Sequence, residues 1–592
     1  MKSKYYIKDD VLYGYDGLVN TKTSDNLDLE RGLFNGVGFS LTNTDAKLQR
    51  KYIKWGTLNS HKLTIGTTRQ GKSRKMISDI EQQIAHGDNV FIGEPKGSKD
   101  QEILGYVLQL AIKYKREKEI IYISPYHIKY SACFNTFYRK KNEEIASMIG
   151  EMIEAREPVY KNVGRARTIS ILLGLDFIEK FDALENPYDL IIMERYEYAK
   201  LEAEKVNWMN RHIFGSKYSE SEHGYKWDIE KSLIENAKDE LEKKLIREAY
   251  IRTLERNKKN AMIKIGDVLP LRTYITFEDL SKFDTVDSLA VLQSEVVKRF
   301  ERLPDNADDD LKKLASEAMR EIEKRMRDDP TFIGKLLNSY TMVLTDVTVG
   351  DVGTLLNSCR LNPVLDALTS NDRGAIIVYQ PFPLVYSAVS NVLGRIMFSM
   401  FSSMSGYIGA SGVMLKRRLF VNIDEAGAIL SPIVRELSNK GGGLGFSLCL
   451  YTQSIADIID TLEETGARII LDNMNTKEFF KVNDNTTAKE VSTIMGTIRK
   501  AETTTTASDQ RNTRNAVQVK ETDIANASLI QRLGERTFLL KEGSEVYLVL
   551  APNVADTMIK VKMPIPSLGD LSEDSNAKRK EIKELMKWKI II

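Results

Sequence analysis

The sequence predicts an α/β protein: a parallel-rich central sheet interrupted by an all-helical inserted domain. Three observations predict it. Strands and helices alternate from about Leu63 to Phe137, a highly charged helical stretch runs from about Lys140 to Tyr340, and the alternation returns from Gly374 onward. Such alternation builds parallel sheets, because each crossover helix covers one face. At 592 residues the chain is too long for one simple core. The expected division is 1–140 for an N-terminal segment and the first part of the α/β domain, 141–345 for the helical insertion, 346–570 for the second part, and 571–592 for a helical tail.

In order, His61 to Ile65 is a short strand and Arg74 to His86 a helix. Asn89 to Ile92 is a second strand, Gln101 to Tyr114 has helical periodicity, and Glu119 to Ile123 is a third strand. Tyr188 to Leu269 contains no proline and is mostly strong helix formers, so it reads as helix. Thr276-Phe-Glu-Asp279 has the pattern of a capping box, and Pro304, Pro330 and Pro363 punctuate later helices. Gly374 to Tyr379 is a strand, followed by a helix to about Ser405. Arg418 to Ile423, Phe446 to Tyr451 and Lys477 to Val482 continue the strand series, and Val546 to Leu550 reads as an edge hairpin strand. Ala501 to Asn515, rich in Thr, Ser, Asn and Asp, reads as a mobile loop. Glu573 to Ile592 reads as a charged helix ending in three isoleucines.

Composition narrows the class. With 42% hydrophobic and 28% charged residues, the chain is neither disordered nor a membrane bundle. The net charge of +2 is nearly balanced, so any nucleic-acid contact has to come from local patches. Cys133, Cys359 and Cys449 are far apart and odd in number, which points to a reducing compartment without a disulfide framework. The five histidines do not cluster, so no structural zinc is expected. Met1 to Asn20 lacks the apolar core of a signal peptide. No run reaches the roughly 18 apolar residues of a membrane span. The nearest, Ala388 to Met404, contains Arg395 and Asn391 and suits a buried helix better. A cytoplasmic protein is expected, any membrane attachment coming through a partner at the cytoplasmic face of the inner membrane.

Three motifs carry chemistry. Gly66-Thr67-Thr68-Arg69-Gln70-Gly71-Lys72-Ser73 matches the GxxxxGK[ST] phosphate-binding loop, between a strand and a helix. Glycines let the backbone curl around phosphate oxygens, and the next helix points its positive end at the same anion. Lys72 neutralises the β- and γ-phosphates of ATP, and the Ser73 hydroxyl ligates Mg²⁺. Leu419 to Ile423 is an apolar strand ending in Asp424 and Glu425. Asp424 holds Mg²⁺ through water, and Glu425 polarises the attacking water. The bland alternative is a pair of acids at a helix start. Gln453 follows the strand ending at Tyr451 and is placed to touch the γ-phosphate; a polar helix cap is the alternative. Glu94-Pro-Lys96-Gly97, after the strand ending at Ile92, reads by itself as a turn.

These motifs together resemble the type IV coupling proteins of conjugation and type IV secretion, which are hexameric DNA-pumping ATPases with a RecA-like P-loop domain. The likeness runs through the phosphate loop, the Pro-Lys-Gly turn, Phe420-Val-Asn-Ile-Asp-Glu425, Gln453-Ser454, and Asn473-Met-Asn-Thr-Lys-Glu-Phe-Phe480. It spans about Leu63 to Pro566, the helical region agreeing in position and character. It implies an ATP-dependent translocase that delivers DNA, single- or double-stranded, to a conjugative secretion channel. The implied partners are a relaxase or other secretion substrate, a membrane channel component acting as anchor, and further copies in a homo-hexamer. The chain departs from the pattern in having no N-terminal membrane helices, in Glu94 where Asp is usual, and in Gly441-Gly442-Gly443 where a trans-acting arginine is expected. Arg468 or Lys440 is the expected substitute. The competing readings are a cytosolic P-loop motor that recruits protein substrates for secretion, a viral DNA-packaging motor, and a non-catalytic nucleotide-binding scaffold.

Overall fold

The computed structural model describes residues 5–8, 11–14, 20–43, 47–95, 102–128, 131–153, 157–185, 219, 243, 246, 275–304, 307–328, 330–358, 362–369, 374–385, 387–411, 415, 417–431, 433–506 and 514–555. The chain divides into two compact units. The first comprises Met1–Pro95, Ile103–Lys115 and Ser405–Met558; the second comprises Lys96–Glu102, Arg116–Met404 and Ile559–Ile592.

The first unit opens with an antiparallel hairpin, β1 (Tyr5–Lys8) and β2 (Val11–Gly14). β3 (Leu33–Ser40) and β4 (Gln49–Ile53) follow as a second antiparallel pair. β5 (Lys62–Ile65) leads through the phosphate-loop motif into α1 (Lys72–His86), then β6 (Asn89–Gly93) and α2 (Glu102–Lys113). Both β5 and β6 are buried along their whole length, as strands covered on both faces must be.

The second unit holds a parallel strand pair, β7 (Ile120–Ile123) and a later β8, among helices. These are α3 (Asn142–Met152), α4 (Pro158–Glu185), α5 (Phe277–Ser281), α6 (Val286–Phe300), α7 (Asp309–Met326), α8 (Pro330–Thr348), α9 (Gly350–Asn357) and α10 (Pro363–Thr369). β8 is Ile376–Tyr379, and α11 (Ser387–Ser411) follows it. The capping box at Thr276 is present: the Asp279 carboxylate accepts from Thr276 N at 3.0 Å. α4 is the helix that α3, α6, α7 and α8 pack against. Gly164 and Gly174 allow the close approach, since a Cβ there would lie 2.5 Å from Ile153 Cδ1 and 3.0 Å from Leu292 Cδ2. In α11 Val392, Leu393, Ile396, Met397, Phe398, Met400 and Phe401 are buried, as read from the sequence. No helix among the described residues is long and apolar enough to cross a membrane. Apart from three isolated residues, the expected helix of Tyr188 to Leu269 lies outside the described residues, as do Lys96, Gly97 and the tail from Glu573.

The chain then returns to the first unit with β9 (Leu419–Ile423), α12 (Val434–Lys440), β10 (Phe446–Thr452), α13 (Ile455–Asn473) and β11 (Thr476–Phe480). α14 (Asn485–Met495), β12 (Thr497–Thr506), β13 (Arg514–Asp523), α15 (Ala527–Arg532), β14 (Thr537–Glu542) and β15 (Glu545–Leu550) complete it. The main sheet of this unit runs β4-β3-β15-β14-β11-β5-β10-β9-β6. From β11 to β6 every pairing is parallel; from β11 to β4 every pairing is antiparallel.

Two expectations fail here. β15 is not an edge strand, because β3 pairs with its outer side through Leu550↔Val37 and Tyr547↔Ser40. β3 is hard to read because two glycines dilute its strand signal, yet both are required. A Cβ on Gly36 would sit 2.2 Å from Leu550 O, and one on Gly38 2.2 Å from Leu548 O. Ala501 to Asn515 is not simply a loop either. Ala501 to Thr506 ends β12 and Arg514 begins β13, an antiparallel ribbon in register from Thr497↔Asp523 to Thr506↔Arg514. Four consecutive threonines favour strand through β-branching, and polarity alone concealed it.

Candidate functional site

The phosphate-loop motif lies at the carboxyl end of β5, Asp424 and Glu425 at that of β9, and Gln453 at that of β10. These three strands are adjacent and parallel, so all three motifs emerge on one edge of the sheet, where open α/β folds bind ligands.

The loop is framed from both sides. Gly66 N donates to Thr452 O at 3.2 Å, at the end of β10. Thr67 N donates to Lys481 O at 2.9 Å, just beyond β11. Gly66 admits no side chain, since a Cβ would meet Phe480 Cβ at 2.5 Å. On the other flank Arg536 N donates to Gln70 O at 3.1 Å, and its side-chain stem covers Gly71. Gly71 has φ 99°, a left-handed conformation that glycine adopts without strain, and it begins α1. Thr68, Arg69 and Ser73 are exposed at the mouth, while Lys72 is 9% exposed. The Lys72 ammonium donates to Gly66 O and Thr67 O. A curled, glycine-dependent loop with a lysine folded over its carbonyls is a cradle that fits a polyphosphate.

Asp424 N donates to Gly93 O at 2.9 Å, extending the β6–β9 ladder past its last pair and setting Asp424 beside the buried Glu94 strand end. Glu425 then turns sharply. Its φ of 46° and ψ of 59° are left-handed, costly for a residue with a side chain. Such strain, on the order of 1–3 kcal/mol, collects where a site demands it. Glu425 Oε1 accepts from Gln453 Nε2 at 3.1 Å. Gln453 is itself fixed: Asp457 accepts from Gln453 N at 3.2 Å and from Ser454 N at 3.0 Å, capping α13. The two residues picked independently from the sequence therefore touch.

Arg468 and Lys440 are not brought to this edge. α13 starts at the carboxyl end of β10 and ends where Asn475 N donates to Ser60 O, at the amino ends of the strands. Arg468 stands fourteen residues beyond the cap at Ser454, past a kink at Glu463 (φ 60°, ψ 165°) and five residues before the end of the element. There it is paired to Glu464 at 2.6 Å with 72% of its side chain exposed. Lys440 ends α12, pairs with Glu436 at 2.8 Å, and is equally exposed. Two of the three glycines between α12 and β10 are explained locally: a Cβ on Gly441 would lie 2.5 Å from Leu437 O and one on Gly442 2.2 Å from Asn59 O, leaving no room for an arginine at either position.

Sequence reasoning missed Arg536, Phe480 and Lys481. The Thr476-Lys-Glu-Phe-Phe480 run was visible as part of the family pattern, and Phe480 now has a task, seating the loop at Gly66. Arg536 gave no signal: its backbone φ of 62° is not legible in sequence.

Residues 418–535 match the family model described as the TraM recognition site of TraD and TraG. No curated protein matches the chain. Among solved structures, the bacterial conjugative coupling protein TrwBdeltaN70 in its unbound monoclinic form is similar, at 13% identity and a TM-score of 0.51, over 94% of this chain and 95% of that one. The plasmid coupling protein TrwB in complex with ADP and Mg²⁺ is also similar, at 13% identity and a TM-score of 0.48, over 85% and 87%. So is VirB4 of Thermoanaerobacter pseudethanolicus, at 12% identity and a TM-score of 0.41, over 88% and 97%. The first of these likenesses shows the fold, a RecA-like P-loop architecture with a helical domain. The family match covers residues 418–535, and over the rest of the chain the likeness to that coupling protein is one of fold.

Proposed function

We propose that the protein is an ATP-driven coupling protein that recruits DNA, or DNA bound to protein, and delivers it to a conjugative type IV secretion channel. The observation that carries the enzymatic part is the bond from Gln453 to Glu425 beside a framed phosphate loop. Magnesium bound with ATP supplies charge neutralisation and polarises the terminal phosphate. Gly66 and Thr67 spend their N–H groups on Thr452 and Lys481, so they anchor the loop. The backbone from Thr68 through Arg69, Gln70 and Gly71 then faces the phosphates. Lys72 exchanges its carbonyl partners for phosphate oxygens. Ser73 and Asp424 would hold the metal. Glu425 takes the proton of the attacking water, and Gln453 orients that carboxylate and senses the γ-phosphate.

The rest of the reading follows from the family. Arg468, or Lys440, stands on the opposite edge of the sheet from its own loop, which suits a residue acting on a neighbour's site in a homo-hexamer. The helical domain takes the recruiting role for a relaxase or another secretion substrate. A membrane channel component anchors the protein at the cytoplasmic face of the inner membrane. The test is ATP turnover with and without single- and double-stranded DNA. Stimulation by either supports the DNA-moving role; a rate indifferent to both leaves a motor that recruits protein substrates.

A further inference from the structure

Beneath the phosphate loop lies a cluster of ionisable side chains that the hydrolysis chemistry does not use. Lys62 of β5, Lys75 and Asp79 of α1 and Glu478 of β11 are each at most 1% exposed at the side chain. Asp79 accepts from Lys62 Nζ at 2.5 Å, from Lys75 Nζ, and from Tyr451 Oη of β10 at 2.8 Å. Glu478 Oε1 lies 2.9 Å from Lys62 Nζ and 3.4 Å from Lys75 Nζ as an ion pair, and its Oε2 accepts from Thr64 Oγ1 at 2.8 Å. Two lysine amines face two carboxylates, and burial pulls the Lys75 amine's pKa down against the attraction of Asp79 and Glu478. Burial pulls Lys62 down, but Asp79 and Glu478 beside it overcome this and hold it charged. Burial likewise works against the Asp79 carboxylate, and the two lysines overcome it.

Each member sits a few residues from a working part of the site. Lys62 precedes Gly66 by four residues on the strand that feeds the loop. Lys75 follows Lys72 by three on the helix that leaves it. Tyr451 precedes Gln453 by two, and Glu478 precedes Phe480, the residue against Gly66, by two. Alternate residues of a strand share a face, so fixing one fixes the direction of the next but one. Stability does not explain the cluster. Removing such charges from water costs about what their attraction returns, and apolar replacements of equal volume are often as stable or more so. What four interlocked ionisable groups supply is one allowed register among β5, α1, β10 and β11.

We infer that Lys62, Lys75, Asp79, Tyr451 and Glu478 are positioning residues that lock the phosphate loop and Gln453 into one geometry for turnover. This rests on the ATPase reading above, and its test is chosen to be separable from it. The probe is Tyr451→Phe in the full chain, which removes one hydrogen bond and leaves all four ionisable groups. A charge-balanced double variant, Lys75→Met with Glu478→Gln, is the second. In protein without nucleotide, amide exchange over residues 66–79 should rise about tenfold in Tyr451→Phe, while β3, β14 and β15 keep wild-type protection. With ATP, kcat should fall about tenfold at a KM within about twofold of wild type, per correctly folded molecule. The double variant should fold and show the same split. Unchanged exchange over 66–79 in both variants overturns the inference. So does a loss of protection spread evenly over the sheet, or activity lost only in proportion to folded protein, since these mark a merely structural cluster. If wild type hydrolyses no ATP, the functional reading falls, and the exchange measurement still decides the lock.

Discussion

Glu425 is held in a strained backbone conformation, and the Gln453 amide reaches its carboxylate. Gln453→Ala removes that donor while leaving the loop's framing bonds in place. Turnover should fall about tenfold with little change in ATP affinity, because a lost orienting hydrogen bond acts on the reacting geometry more than on binding. Steady-state kinetics beside a nucleotide-binding titration reads both. A second residue-scale effect lies in the helical unit. Lys140 is buried and donates to Ser399 O and, at 2.7 Å, to Ser403 Oγ, and burial pulls its pKa down to about 8 from 10.5. Below about pH 8 the folded protein must bury a charge that the unfolded chain keeps in water. Between pH 8 and 10.5 the folded state has shed its proton while the unfolded state sheds its own, and the penalty fades. Lys140→Met should therefore stabilise the protein by about 2 kcal/mol at pH 7, and by progressively less toward pH 10. Denaturant unfolding at the two pH values measures it.

At the scale of elements, the sequence made the parallel half legible. β6, β9 and β10 are short, mostly apolar runs, and the predicted limits of these and of β5 and β11 agree to within about two residues. The antiparallel half was harder. β3 hides behind two glycines whose missing side chains are the condition for pairing with β15, and β12 hides behind polar threonines. The loop motif was equally plain, whereas its supports were not. Phe480, Lys481 and Arg536 come from segments distant in sequence, and only the sheet order brings them to Gly66 and Gly71. Gly442→Ala should destabilise by at least about 2 kcal/mol, because its Cβ has no place beside Asn59 O. Gly443→Ala, with nothing within 4 Å of its Cβ, should cost far less. Thermal melts of the pair test the packing directly.

At the scale of the molecule, the exposed basic residues on the edge opposite the loop bear on assembly. If Arg468 completes a neighbour's site, Arg468→Ala should lower turnover at unchanged ATP affinity, and the loss should be about 10³-fold if the group bears on the transition state. Mixing Arg468→Ala with Glu425→Gln chains should restore part of the activity, because a mixed assembly contains some sites with both residues intact. Turnover that stays constant on dilution to a monomer shown by light scattering would count against shared sites. All of this depends on one claim, that Glu425 is the base of an ATP-hydrolysing site whose loop binds nucleotide through Lys72. The most direct measurement is ATP turnover and nucleotide binding by Glu425→Gln, a change that keeps shape and removes the base. The account predicts binding like wild type and turnover reduced at least about 100-fold. Turnover equal to wild type in Glu425→Gln would contradict it.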